Sequence, residues 1–94
     1  MGGVYFYNDS DKVLSWRNMS QAGYSGVVQP GERTHDDCHS PFNTSWQYRF
    51  SYPGDPAFTC WLDVAGGFTC SQTYAVSRLG VVLMTPEKRR QLRF

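Results

Sequence analysis

The chain contains no isoleucine, only two lysines beside seven arginines, and no apolar run near the ~18 residues that a membrane-spanning helix needs. Its formal net charge is +1 over 94 residues. A strong positive field, such as attracts nucleic acid or an anionic membrane, is therefore excluded as an organising feature. A chain of this length has room for one hydrophobic core, so residues 1–94 are expected to form a single domain.

Cysteine is scarce and its count is odd: Cys38, Cys60 and Cys70. An odd count leaves a free thiol or an intermolecular bond, which favours a reducing compartment such as the cytoplasm. The N-terminal residues lack the basic and apolar regions of a secretory signal, so no signal peptide is expected in this chain.

All three asparagines, Asn8, Asn18 and Asn43, are followed two residues later by serine, which makes each a glycosylation sequon. The same pattern is ordinary turn chemistry, which is the simpler interpretation. The sequons keep a secreted protein open as an alternative, and the sequence leaves the localisation unknown.

Aromatic residues and alternation with a period of two are abundant. The chain has three Trp, six Tyr and six Phe. The segment Trp46–Tyr52 places four aromatic residues on one side and Gln47, Arg49 and Ser51 on the other. Further strands are expected at residues 4–7, 13–18, 24–29, 57–64, 68–76 and 80–84. Seven to eight short strands predict an all-β fold, a small antiparallel β-sandwich or a partly open barrel.

Only residues 85–94 have a helical pattern. Thr85 can act as the N-cap, Pro86 suits the first helical position, and basic residues follow. The sequence therefore predicts a short C-terminal helix or a basic tail.

The motif Phe-Thr-Cys occurs twice, ending at Cys60 and at Cys70. A hairpin with its tip at Ala65 would place the two cysteines opposite each other and Leu62 opposite Phe68. Directly opposed cysteines lie at the short end of the Cα separation that a disulfide tolerates. Two reduced, buried thiols are the alternative.

The segment 34–39 contains both histidines and two carboxylates. On an extended strand His35, Asp37 and His39 share one face, but the two histidines stand about 13 Å apart at ~3.3 Å per residue. The spacing matches none of the common zinc motifs. We expect no metal or other cofactor, and a metal-dependent site at these three residues is an alternative.

The motifs of nucleophilic catalysis and nucleotide binding are absent from the sequence, including a Gly-x-Ser-x-Gly elbow and a phosphate-binding glycine loop. Cys38 and His39 are adjacent, and adjacent side chains on a strand point to opposite faces. An enzyme is therefore not expected.

Aromatic residues on polar strand faces are the best functional indication. Trp61 alternates with Thr59 and Asp63, and Trp16 lies between Ser15 and Arg17. Aromatic rings among hydroxyl and charged groups stack on sugars or form the centre of protein interfaces. We predict a non-enzymatic recognition module, such as a small inhibitor or a lectin-like domain, that binds a protein or carbohydrate partner. The predicted ligand-binding residues are Trp61, Asp63, Arg49 and Trp16.

The segment 80–84 is apolar and uncharged. If it forms an edge strand, pairing with its symmetry mate gives an isologous homodimer. A self-assembling structural or toxin subunit is therefore the alternative function.

Overall fold

The computed structural model describes residues 4–20, 23–36, 46–64 and 72–93. These ranges contain β1 Val4–Asn8, β2 Leu14–Asn18, β3 Ser25–Val28, β4 Arg33–Asp36, β5 Trp46–Tyr52, β6 Asp55–Val64, β7 Gln72–Ser77, β8 Gly80–Leu83 and α1 Pro86–Gln91. The predicted all-β class is confirmed. β4 is the strand that alternation did not identify, because it is only four residues long and polar.

The strands form two four-stranded sheets, and the predicted sandwich is confirmed. The first sheet has the strand order β4-β1-β7-β8, and the second has β3-β2-β5-β6. β4 approaches β3, and β8 approaches β6, across the space between the sheets. β1 and β7 pair in parallel, so the first sheet is mixed rather than purely antiparallel as expected.

The predicted hairpin between β6 and β7 is wrong. β6 pairs with β5 of the second sheet, whereas β7 pairs with β1 and β8 of the first. The chain changes sheets between residues 64 and 72, which lets both strands turn apolar side chains into one shared core. Phe68 and Cys70 lie outside the described residues. The half-buried Cys60 is a free thiol and lies opposite Phe50 on β5.

Aromatic rings fill the centre of the sandwich. The ring centroid of Phe6 lies 5.3 Å from that of Trp16 and 5.0 Å from those of Tyr48 and Phe50. The last two contacts are edge-to-face, the arrangement that the quadrupoles of aromatic rings favour. All four side chains are buried, so residues from both sheets share this core.

Trp16, predicted to bind ligand, is instead a core residue with 6% of its surface exposed. Its neighbours in the alternation, Leu14 and Asn18, also point inward. Gly26 lies opposite on β3 and leaves room for the indole, because a Cβ there would approach the indole Nε1 to 3.0 Å. The prediction failed because alternation defines two faces of a strand but does not say which one is covered.

A buried carboxylate joins the two sheets. Asp36 of β4 is 1% exposed. Its Oδ2 accepts hydrogen bonds from the Tyr48 hydroxyl at 2.8 Å and from the Asn18 Nδ2 at 3.1 Å. Tyr48 and Asn18 belong to the second sheet, so this group fixes one sheet against the other.

Two of the three sequon asparagines have structural roles. Asn8 is fully buried, and its Nδ2 donates to the carbonyl oxygens of Lys12 at 2.7 Å and Val28 at 2.9 Å. Asn18 is buried and donates to Asp36. In both residues, the amide nitrogen that would carry a glycan donates hydrogen bonds inside the folded domain. Asn43 lies outside the described residues.

The C-terminal helix begins as predicted. Thr85 is the N-cap, its Oγ1 accepts a hydrogen bond from the backbone N–H of Lys88 at 3.2 Å, and Pro86 occupies the first helical position. None of the residues of α1 is buried. In the described ranges, no helix has the length and apolar character to cross a membrane.

Candidate ligand-binding face

The outward face of the second sheet carries a row of cross-strand partners that crosses all four strands. Ser25 of β3 lies opposite Arg17 of β2, Arg17 lies opposite Arg49 of β5, and Arg49 lies opposite Trp61 of β6. Neighbouring strands are ~4.8 Å apart, so Arg17 and Trp61 are separated by about 10 Å. Arg17, Arg49 and Trp61 are called the Arg–Arg–Trp row below.

A row of hydroxyl groups runs beside it. Ser15 of β2 lies opposite Ser51 of β5, and Ser51 lies opposite Thr59 of β6. Residues two apart on a strand point to the same face, at a spacing of ~7 Å. Ser15, Ser51 and Thr59, called the hydroxyl row, therefore flank the Arg–Arg–Trp row on the same surface.

A recess of about 250 Å³ lies over β3, β2 and β5. It combines short side chains, which leave space, with the longer side chains of two arginines and a valine. Its lining residues are Ser15, Trp16, Arg17, Ser25, Gly26, Val27, Arg49 and Ser51. The recess is thus open to solvent and bordered by part of both rows.

Among the described residues, the two arginines have no counterion. Neither Arg17 nor Arg49 forms an ion pair with any residue in the described ranges. Asp63 lies on the same face, and its Oδ1 accepts a hydrogen bond from the Gln47 Nε2 at 3.2 Å. Like charges directly opposite each other on a sheet destabilise it. Among the described residues, this face therefore holds two arginines without an ion-pair partner beside an aromatic ring.

Trp61 is half exposed, at 50% of its surface. Its sequence neighbours Cys60 and Leu62 pack against the core, so the alternation of β6 turns the indole outward. The predicted placement of Trp61, Thr59 and Asp63 on one polar face is confirmed, because all three are exposed. An exposed indole offers a flat apolar surface next to charged and hydroxyl groups.

The structure brings together three of the four predicted binding residues, Arg49, Trp61 and Asp63, and places Trp16 beneath them in the core. Their binding role stays a prediction. Arg17 is the residue that the sequence analysis missed. The alternation of β2 contained this information. Arg17 follows Trp16, so once Trp16 is known to be buried, Arg17 must point outward on the same face as Ser15.

The suggested metal cluster is only partly described. His35 is exposed on β4, and its ring centroid lies 5.2 Å from that of Tyr5. Asp37 and His39 lie outside the described residues. Within the described part of the chain, no three His, Cys, Asp or Glu side chains are grouped so that they could hold a metal ion.

Burial raises the pKa of the Cys60 thiol. The thiolate is the nucleophilic form of cysteine, so a raised pKa makes this side chain less reactive at neutral pH. Cys60 therefore behaves as a small apolar residue at the rim of the core.

No protein-family model, curated protein or solved structure matches this chain. The function is therefore inferred from the geometry of its surfaces.

Proposed function

We propose that this domain is a non-enzymatic recognition module that binds its ligand on the outward face of the second sheet. The Arg–Arg–Trp row is the observation that carries this proposal. A half-exposed indole supplies contact area with little loss of conformational entropy, and neighbouring guanidinium groups supply directed hydrogen bonds. Ligand sites commonly combine apolar contact with a few polar groups that fix orientation.

A carbohydrate suits this face better than a protein does. The core of a protein interface is more apolar than the rest of the surface, and it is enriched in aromatic residues and arginine. Among the described residues, Trp61 and Val27 are exposed apolar side chains on the two opposite edge strands of this face, and the exposed Met19 follows the end of β2. The surface between Trp61 and Val27 is made of hydroxyl and guanidinium groups. Such groups hydrogen-bond to sugar hydroxyls, while a sugar ring stacks on the indole.

The test is calorimetric titration of the purified domain with a panel of neutral and acidic oligosaccharides. Trp61→Ala should weaken binding by about 2 kcal/mol, as expected for an aromatic residue at the centre of a contact. The free energy of unfolding should change little, because half of the indole is already exposed. Val82→Ala is the matched control, since Val82 is 64% exposed on the other sheet. Binding that survives Trp61→Ala unchanged would contradict the proposed surface.

The edge strand β8 favours a second function, self-association. Val82 and Leu83 on this strand are 64% and 49% exposed, and Leu79 beside it is 98% exposed. Pairing β8 with the β8 of a second copy would join two four-stranded sheets and cover apolar surface. The basic residues of α1 follow directly and would approach their symmetry mates, which opposes this contact.

Light scattering at high micromolar concentration tests self-association. A dimer is expected if β8 pairs with a second copy, and Val82→Lys should then return it to a monomer. A monomer in the wild-type protein would contradict this second candidate and leave the recognition surface unaffected.

A further inference from the structure

We propose that the ligand of the Arg–Arg–Trp row is an acidic carbohydrate, with its carboxylate or sulfate group held between Arg17 and Arg49 while a sugar ring stacks on Trp61. This inference rests on the proposed function and names the ligand class of the same surface.

The register places the two arginines side by side on one face. Arg17 and Arg49 are direct cross-strand partners, and the Cβ atoms of such partners lie ~4.5–5.5 Å apart on the same face. Each guanidinium presents a planar fork of N–H donors that matches a carboxylate or sulfate in a bidentate way. Two forks that start so close together can converge on one oxyanion.

Electrostatics favours an anion at this position. No residue in the described ranges pairs with either arginine, so no counterion among those residues relieves their mutual repulsion. An oxyanion between them replaces repulsion with two attractive contacts. Asp63, a carboxylate on the same face, is on β6 and accepts a hydrogen bond from Gln47.

The recess supplies the remaining hydrogen bonds. Ser15, Ser25 and Ser51 line it beside the two arginines. Within the described ranges, none of these three hydroxyls hydrogen-bonds to another group of the domain. They remain available to the ring oxygens and hydroxyls of a sugar. The recess has a volume of about 250 Å³, which is of the size of one sugar unit.

Trp61 lies one strand beyond Arg49, at ~4.8 Å. A ligand that contacts both must carry its charge close to a ring that can stack. An acidic sugar meets this condition within one or two linked units. A nucleic acid would need more cations, because its affinity depends on many phosphate contacts, and this face offers two arginines with Asp63 nearby.

The experiment compares ligands that share a sugar backbone and differ in charge. Oligogalacturonate is titrated against its fully methyl-esterified form, and sulfated dextran oligosaccharide against neutral dextran. The wild-type domain should bind at least one acidic form at least tenfold more tightly than its neutral counterpart. Arg17→Gln and Arg49→Gln should each weaken that binding about tenfold, the effect of losing a charge-assisted hydrogen bond.

Arg90→Gln is the control, since Arg90 is exposed on α1 and would mediate only non-specific attraction of anions. Equal binding of the charged and neutral forms, or loss in Arg90→Gln but not in the two face variants, would overturn the proposed acidic ligand. If that equal binding still requires Trp61, the recognition module stands and only the ligand class is wrong. Failure to bind any saccharide, with tight binding of an acidic peptide through Arg17 and Arg49, would also overturn it. Thermal unfolding of each variant excludes loss of fold.

Discussion

The polar side chains on the two faces of the second sheet have different roles. On the inward face, Asn18 and Tyr48 both donate hydrogen bonds to the buried Asp36. On the outward face, their sequence neighbours Arg17 and Arg49 face each other without an ion-pair partner in the described ranges. The same two strands thus carry polar groups committed to folding on one side and uncommitted groups on the other. This difference marks the outward face as the place for a ligand.

The outward face of the first sheet shows that an arginine near an aromatic ring is not enough. Arg33 lies over the ring of Tyr5, with its Cζ 4.7 Å from the centroid, and His35 contacts the same ring. This cation is therefore already used within the domain by a cation–π contact. The Arg–Arg–Trp row differs because its two cations face each other.

The largest expected effect separates the two tryptophans. Trp16→Ala should lower the free energy of unfolding by about 3–5 kcal/mol, because it empties the centre of a well-packed core. Trp61→Ala should leave stability almost unchanged. Urea denaturation measures both. A loss below about 1 kcal/mol in Trp16→Ala would contradict its placement between the sheets and break the comparison of the two faces.

The second prediction tests whether the inward polar groups stabilise the fold. Tyr48→Phe removes one of two donors to the buried Asp36 and should cost about 1–3 kcal/mol of unfolding free energy. Tyr52→Phe is a matched control on the same strand and face. The Tyr52 hydroxyl is also buried and has no hydrogen-bond partner among the described residues, so its removal should be neutral or stabilising. Equal losses in the two variants would contradict the assigned role of the Asp36 contact.

The period of two predicted the faces of β5 and β6 correctly, because a half-buried strand must separate its apolar and polar residues. It placed Trp61 and Asp63 on the polar face of β6 and Arg49 on the polar face of β5, and the pairing of β5 with β6, which it did not predict, joins these two faces. It could not predict that β7 leaves β6 and pairs with β1, because pairing between distant segments leaves no local pattern. The burial of Trp16 was missed for a related reason. Which face of β2 is covered depends on the strands of the first sheet, and these lie elsewhere in the chain.

The third prediction concerns the repulsion on the outward face. Arg17→Gln removes a like charge opposite Arg49 and should raise the free energy of unfolding by about 0.2–1 kcal/mol. Added salt should stabilise the wild-type domain more than the variant, because screening weakens the same repulsion. Denaturation at low and high ionic strength measures this difference. A destabilised variant would show that Arg17 has a structural role and would weaken the contrast between the faces.

The smallest effect concerns Arg78, an exposed arginine that does have a partner. Its Nη2 donates to the Asp55 Oδ2, and this hydrogen bond together with the charge of Arg78 lowers the pKa of Asp55 below its ordinary value of 3.8. Because the pKa of Asp55 is lower in the folded than in the unfolded state, the pair stabilises the domain above about pH 4. That contribution is lost as the pH falls through the pKa of the folded state.

Arg78→Gln should therefore bring the pKa of Asp55 back toward its ordinary value, and it should weaken the loss of stability between about pH 4 and the folded-state pKa. The change in stability is expected to be small, since ion pairs at the surface are screened by water. Titration of the Asp55 carboxyl carbon by NMR gives the pKa directly. Arg17→Gln serves as the control and should leave the pKa of Asp55 unchanged, because Arg17 does not contact that residue. An unchanged pKa in Arg78→Gln would show that the ion pair does not form in solution, and Arg78 would then resemble the two arginines of the outward face.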